Sequence, residues 1–282
     1  MSQDQAAQHP LARAVKEPPA DWSPQGIDTT VPSIARVYDA ILGGKDNFPV
    51  DRAVAEELMR LAPRGRQSAL YNRALLGRGV RLMAQQGIRQ FIDLGSGLPT
   101  ASNTHQMAQS VAPDARVVYV DNDPIVLAHG RALLAENDHT TVVTADFREP
   151  EQVLDHPDLT ALIDFDQPVA LLLFAVVHHI EDDEDPQGIL AAYRDRLASG
   201  SHLFLTHFVT HGEETAELEK VMLADLGRGR FRTLAEITTF FDGFDLLEPG
   251  VVYNPLWRPE EPVADPLTLT ERLVAGGLGR KP

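Results

Sequence analysis

The 282-residue chain contains no cysteine, which excludes disulfides, thiolate metal sites and cysteine nucleophiles together. Basic side chains are in deficit. The 25 Lys and Arg residues oppose 41 Asp and Glu, a formal balance of −16. Such a surface repels polyanions, so nucleic acid and anionic membrane are not expected as partners. Long apolar runs are missing too: no segment approaches the ~20 unbroken apolar residues of a membrane span. The opening Met1-Ser2-Gln3-Asp4 lacks the basic-then-apolar pattern of a secretory leader, and a cytoplasmic protein is expected. What is present is ordinary for a globular protein, with 43% apolar and 23% charged residues.

Residues 1 to about 30 are rich in Gln, Ala and Pro without apolar periodicity, and read as a mobile tail that docks through Trp22. Residues 31–88 read as three helices. In the first, Ile34, Val37, Tyr38, Ile41 and Leu42 form one face that stops at Gly43-Gly44. The second covers Asp51 to Leu61 and ends at Pro63. The third runs from about Gln67 to Gln86 with Leu70, Tyr71, Ala74, Leu75, Leu82 and Met83 inward. From residue 89 to 282 short apolar runs alternate with helical stretches. The runs are Arg89–Leu94, Arg116–Val120, Thr141–Ala145, Val169–Val176 and His202–Phe208; the stretches are Pro99–Ala112, Pro124–Glu136, Glu151–Leu162 and Gln187–Leu197. Apolar strands separated by helices belong to a parallel sheet covered on both faces. Thr233-x-x-Glu236 reads as a capping box opening the helix Leu234–Phe241, followed by strands at Phe244–Val252 and Arg272–Leu278. The expected fold is α/β, doubly wound, a mostly parallel seven-stranded Rossmann-like sheet with an N-terminal helical lid.

The first run ends in Asp93-Leu94-Gly95-Ser96-Gly97-Leu98-Pro99. Glycines between strand and helix let a ligand approach the backbone at the carboxyl edge of such a sheet. The second run ends at Asp121, where a carboxylate can accept from two ribose hydroxyls. Asp123 precedes Pro124 and reads as a helix N-cap. The third run ends in Ala145-Asp146-Phe147, where a side chain could meet a base edge and a ring could pack on it. The ligand's charge follows from Asp93. A pyrophosphate over the turn would be repelled by that carboxylate, whereas the cationic amino group of phosphate-free S-adenosylmethionine would be attracted. Thr100 stands where a dinucleotide fingerprint has its third glycine. S-adenosylmethionine is therefore favoured over a nicotinamide cofactor.

The order Asp93-Leu94-Gly95-Ser96-Gly97, Asp121, Asp146, His178-His179 resembles a class I S-adenosylmethionine-dependent methyltransferase. Three segments narrow the resemblance to the actinobacterial S-adenosyl methyltransferase family. They are Pro32–Asp39 continuing through Leu42-Gly43-Gly44-Lys45-Asp46-Asn47-Phe48, the run Asp93–Thr104, and Gly279-Arg280-Lys281-Pro282. The resemblance implies methionine-moiety contacts at Asp93, Gly95 and Gly97, ribose contacts at Asp121, and adenine contacts at Asp146 and Phe147. Ser96, Asn122, Ala175, Tyr38 and Asn47 complete the expected cofactor-binding set. This chain departs from the pattern in having Pro99 at the usual third glycine. It also lacks the fourth-strand carboxylate of many methyltransferases, since Ala175 and Val176 precede His178. A metal-dependent catechol-type mechanism is accordingly not expected.

Lys45, Asp46 and Asn47 read either as the end of a packed helix or as a lid over cofactor and substrate. His178, His179, His207 and His211 fall near the ligand-binding ends of the fourth and fifth strands. Each imidazole could deprotonate an oxygen or nitrogen nucleophile, serve packing, or ligate a metal if several ligands converged. His178 and His207 are the candidate catalytic groups, and no metal is assigned. Glu181-Asp182-Asp183-Glu184-Asp185 reads as a solvated loop ahead of a helix. The leading expectation is methyl transfer from S-adenosylmethionine to a small-molecule acceptor; a regulatory or sensor protein that binds the cofactor without efficient turnover is the alternative.

Overall fold

Strand β1 (Gln90–Leu94) lies at the centre of the sheet between β2 (Arg116–Asp121) and β4 (Ala170–Phe174); β3 (Thr140–Thr144) pairs outside β2, and β5 (His202–Phe208) outside β4. These five are parallel. The computed structural model describes residues 27–99, 103–134 and 138–282. The expected tail with its docking Trp22 lies outside them, as do parts of the two helical stretches expected after β1 and β2. Beyond β5 the order continues through β8 (Val274–Arg280) to β6 (Asp245–Leu246), with β7 (Val252–Tyr253) also paired to β8; all three pairings of β8 are antiparallel.

Eight strands replace the expected seven because the run Phe244–Val252 does not stay extended. It breaks between Leu246 and Val252, where Pro249 cannot donate to a ladder. The expected helix Glu151–Leu162 likewise divides into Pro150–Leu154 and Pro157–Thr160, since Pro157 opens its own turn. The helix Glu213–Leu226 has no counterpart in the sequence pattern: only Thr215, Leu218 and Met222 are buried, and Gly227 in the left-handed region closes it.

Alternate strand residues supply two cores, as the pleat requires. Ile92, Leu94, Val118, Val120, Leu171 and Leu173 pack on one face with Leu190 and Tyr193 of the helix Pro186–Arg196. Phe91, Val117, Ala170, Leu172 and Phe204 face the other way, against Leu75, Leu76, Val80 and Met83 of the long third helix. That helix is α3 (Gly65–Gln85), preceded by α1 (Ile34–Leu42) and α2 (Pro49–Leu61). Its inward face is Ser68, Ala69, Asn72, Leu75, Leu76, Gly79, Val80 and Met83, whereas Leu70 and Ala74, expected inside, are exposed.

The N-terminal helices are joined at a buried carboxylate. Asp51 accepts from the Ser33 N–H (3.0 Å) and the Phe48 N–H (2.8 Å), fixing the starts of α1 and α2. The Arg36 side chain forms an ion pair with it, Nε 2.9 Å from Oδ2, with both side chains almost fully buried. Helix α1 ends in a Schellman turn, with Gly44 N–H donating to Asp39 O and Gly43 N–H to Ala40 O. No helix among the described residues is long and apolar enough to cross a membrane.

The approach of α3 to the sheet is tight at one point. A Cβ on Gly79 would lie 1.9 Å from Cε1 of Phe204, whose buried ring packs against Phe174 and Trp257. Gly79→Ala is expected to destabilise the protein by about 2–3 kcal/mol through overpacking. Thermal unfolding checks this, and an unchanged midpoint would show that α3 does not sit where described.

Candidate functional site

The turn after β1 is held to the end of β2 by main-chain bonds from Gly95 and Ser96 to Val120 O, at 2.8 and 3.2 Å. Gly95 and Gly97 have φ of +64° and +65°, and a Cβ on Gly95 would lie 2.3 Å from Val176 Cγ2. Only glycine fits at Gly95, on conformation and on space. The Gly97 N–H donates to Asp121 Oδ2 at 2.8 Å, and the Asp123 N–H to Asp121 Oδ1 at 2.9 Å. Asp121 thus shapes the turn from the neighbouring strand.

Asp93 is 5% exposed and accepts from Thr104 Oγ1 at 2.7 Å. Burial pushes its carboxyl up to about 6, against the opposing pull of the Thr104 bond and the Arg73 charge. Asp121 is also pushed up to about 6 by burial, with its backbone hydrogen bonds pulling the other way. Two carboxylates of raised basicity therefore stand at the ends of adjacent strands.

Asp123 caps the next helix as the sequence suggests, accepting from the Ile125 N–H at 3.0 Å. It also accepts a hydrogen bond from the Ser33 hydroxyl, so the start of α1 is tied to the end of β2. At the end of β3, burial alone would raise Asp146, but the hydrogen bonds and charge of Arg148 outweigh it and hold the carboxyl below its ordinary value. Arg148 continues to Glu184 (2.9 Å), and Glu184 to Arg228 (2.6 Å). Asp182 meets the buried Arg232 at 2.7 Å. The acidic run expected to face water is therefore partly engaged in ion pairs that join three loops.

These features border one cavity of about 640 Å³. Its lining includes Tyr38, Asp93, Gly95, Ser96, Gly97, Asp121, Asn122, Asp146, Phe147, Ala175 and His178 from the expected set. Ala175, with φ +52°, turns the chain at the end of β4 and donates its N–H to Thr206 Oγ1 at 2.9 Å. Positive φ in a residue with a Cβ is local strain of the kind found at ligand sites.

Two expected residues stand elsewhere. Asn47 donates to Asp39 Oδ2 (2.8 Å) and Gly44 O (3.2 Å) and accepts from Arg52, so it fastens the turn after α1 and does not line the cavity. His207 is fully buried with both ring nitrogens engaged: Nδ1 donates to Phe208 O (2.7 Å), and Nε2 accepts from Arg232 Nη1 (3.0 Å). Burial takes its imidazole down to about 3. No nitrogen remains to receive a substrate proton. His211 is similarly engaged with Arg272, through Nε2 to its carbonyl at 3.0 Å.

His178 and His179 differ. Both line the cavity, in the turn after β4, and in each residue Nδ1 has no hydrogen-bond partner although the side chain is more than nine-tenths buried. Burial, with His179, His207 and Arg232 nearby, holds His178 well below the imidazole range. His179 is lowered to about 4, chiefly by burial. Both are neutral near pH 7. Among the described residues, no three His, Asp or Glu side chains are arranged to hold a metal ion.

Sequence reasoning missed the other half of the cavity. Leu58 and Met59 of α2 and Leu218 and Met222 of the helix Glu213–Leu226 line it, with Leu273 and Val274 at the start of β8. So do Arg36, Arg73, Arg148 and Arg228. Periodicity marks the apolar residues as core and gives no sign of a chamber; the arginines belong to no local motif.

A family model described as S-adenosyl methyltransferase matches residues 20–282. Among solved structures, a candidate methyltransferase from Thermobifida fusca YX is 52% identical, covering 93% of this chain and 99% of its own, with TM-score 0.89. A DUF574 family protein from Streptomyces avermitilis is 39% identical over 90% of this chain and 99% of its own, with TM-score 0.86. The S-adenosylmethionine-dependent methyltransferase SibL shares the fold alone, at 17% identity and TM-score 0.50 over 77% of this chain and 56% of its own. Curated proteins yield no match.

The raised carboxyl of Asp93 has a consequence for stability without ligand. The folded state holds its proton up to about pH 6, while the unfolded chain releases it near 3.9. The contribution of this group is thus fully present below about pH 4 and lost as pH rises through 6. Asp93→Asn, which keeps an acceptor for Thr104, is expected to be more stable than the parent by about 2–3 kcal/mol at pH 8, with no gain at pH 4. Denaturant unfolding at both values checks it; a variant less stable at pH 8 would contradict the burial cost.

Proposed function

The chain belongs to the S-adenosyl methyltransferase family and is an S-adenosylmethionine-dependent enzyme; from that premise, we propose that it methylates a small-molecule acceptor held against the N-terminal helices. One observation carries the reading: a single cavity runs from the carboxylates at the ends of β1 and β2 to an apolar chamber walled by α1, α2 and the helix Glu213–Leu226. The cysteine-free acidic chain suits a reducing cytoplasm.

The residues at the strand ends fit the cofactor. Asp93, whose carboxyl stays raised by burial despite the nearby Arg73 charge, offers its carboxylate to a cationic amino group. Asp121 has given one lone pair of each oxygen to Gly97 and Asp123, and each oxygen keeps a second for a ribose hydroxyl. Gly95, Ser96 and Gly97 present main chain to the cofactor, while Asn122, Asp146 and Phe147 border the place of a base. Ala175 and Tyr38 close the sulfur side. The same carboxylates oppose the pyrophosphate of a nicotinamide cofactor.

S-adenosylmethionine supplies a methyl group already activated by its sulfonium. What remains for the protein is orientation of the acceptor and exclusion of water. Residues 31–88 form the lid: Ser33 anchors α1 to Asp123, and the Arg36–Asp51 pair holds α1 and α2 together above the strand ends. His178 lines the cavity in the turn after β4, and its neutral imidazole is the group that takes a hydrogen bond from the O–H or N–H of the acceptor. Burial keeps that imidazole neutral, so it aligns the nucleophile's lone pair and takes its proton only transiently. The room beyond the strand ends goes with turnover and not with a cofactor sensor.

Calorimetric titration tests the cofactor residues. S-adenosylmethionine affinity is expected to rise between pH 5 and 7, as Asp93 and Asp121 lose protons near pH 6. Asp93→Asn is expected to weaken binding at least about tenfold. Flat pH dependence together with unaltered binding in the variant would sink the assignment. Transfer of tritiated methyl from the cofactor into a metabolite extract tests the acceptor side. His178→Phe is expected to slow it by about 10²-fold at unchanged cofactor affinity, and full activity in that variant would remove His178 from the mechanism.

A further inference from the structure

The acceptor half of the cavity differs in charge from the cofactor half. Its walls are Leu58, Leu218, Met222, Leu273 and Val274, which belong to one apolar cluster, with Phe208 packed against it. The acids lining the cavity are Asp28, Asp93, Asp121, Asp123 and Asp146, none of them on those walls. Four arginines line the cavity among the described residues, and no lysine does.

Three of these arginines face carboxylates of the protein at ion-pair distance. Arg36 meets Asp51 at 2.9 Å, both side chains buried. Arg148 lies between Asp146 and Glu184. Arg228 meets Glu184 at 2.6 Å. Arg73 borders the cofactor end of the cavity with Asp93, Ser96 and Gly97, away from the apolar walls, and its charge favours the ionised form of Asp93. A phosphate or carboxylate entering the apolar chamber would therefore shed its water without gaining a cation, the costliest way to bury a charge.

The turn after β4 brings two neutral imidazoles, His178 and His179, to the cavity wall. A methyl acceptor must present a nucleophilic oxygen or nitrogen, and a neutral imidazole on that wall suits an uncharged hydroxyl or N–H group.

We infer that the acceptor is an uncharged, largely apolar molecule carrying a hydroxyl or N–H group, and that anionic analogues of the same shape are refused. The inference rests on the methyltransferase reading above, since it is the carboxylate end of the cavity that assigns the chamber to the acceptor. Uncharged donor groups reach the imidazoles, the apolar body packs on Leu58, Leu218 and Met222, and no side-chain ion pair has to open.

The test uses the intact protein at pH 7.5 and a matched pair of probes, 2-naphthol and 2-naphthoate. S-adenosylhomocysteine binding is measured first by calorimetry, and each probe is then titrated into the saturated protein. The expected result is 2-naphthol binding at least about tenfold more tightly than 2-naphthoate. Leu226→Lys, at a partly exposed position lining the cavity, adds a cation and is expected to narrow that ratio. Equal or tighter binding of 2-naphthoate overturns the inference, as does failure of both probes to bind at about 1 mM. A preference that Leu226→Lys leaves unchanged also counts against it. If S-adenosylhomocysteine binds and 2-naphthol is not preferred, the charge inference alone fails. If S-adenosylhomocysteine does not bind, the reading beneath it fails.

Discussion

Two carboxylates buried at the ends of neighbouring parallel strands are the constraint around which this molecule is organised. Asp93 and Asp121 stand at the carboxyl edge, with β1 and β2 in register from Gln90 opposite Arg116 to Leu94 opposite Val120. Burying them is unfavourable, and the raised carboxyl groups express that cost. What compensates is partly internal, through Thr104, Gly97 and Asp123. On the proposed function, a cationic ligand supplies the remainder. Strain at Ala175 and the left-handed glycines belong to the same edge, where the chain gives up local comfort to shape a binding surface.

The elements around this edge are fastened to it by long-range polar links. Asp51 gathers the starts of α1 and α2 and the Arg36 guanidinium. Ser33 connects α1 to Asp123, and Ile27, Ala35 and Phe48 pack against Leu98, Ile125 and Val126. On the other side Glu184 joins Arg148 to Arg228, linking the loop after β3 with the loop after the helix Glu213–Leu226. These ion pairs occupy three of the four arginines that border the cavity, so one set of contacts both braces the loops and lowers the positive charge facing the cavity.

The five parallel strands were legible because strands buried on both faces must be apolar throughout, and five such runs stand between helical stretches. The glycine turn, Asp121 and the Asp123 cap were legible for a related reason: their roles follow from position relative to a strand end. Partners far apart in sequence were not legible. Nothing around Asp182 indicates that Arg232, 50 residues away, approaches it, and the acidic run therefore looked like a solvated loop. Asn47 and His207 are engaged in internal hydrogen bonds that the sequence does not reveal, because residue type shows that a group can bind a ligand, whereas its partners decide whether it is free to do so. The helix Glu213–Leu226 escaped because so few of its residues are buried. With it, one wall of the cavity, Leu218, Met222 and Leu226, also stayed hidden.

The proposed function rests on matching charge to charge across one continuous cavity. The acidic half suits a cationic, phosphate-free cofactor, and the apolar half suits a molecule without charge. A crystal structure of the complex with S-adenosylhomocysteine tests this most directly. The account predicts the amino group of the homocysteine moiety in hydrogen-bond contact with Asp93, the ribose hydroxyls on Asp121, and the sulfur facing the chamber beside His178. A ligand bound with its amino group away from Asp93, or with its sulfur turned from that chamber, would contradict it.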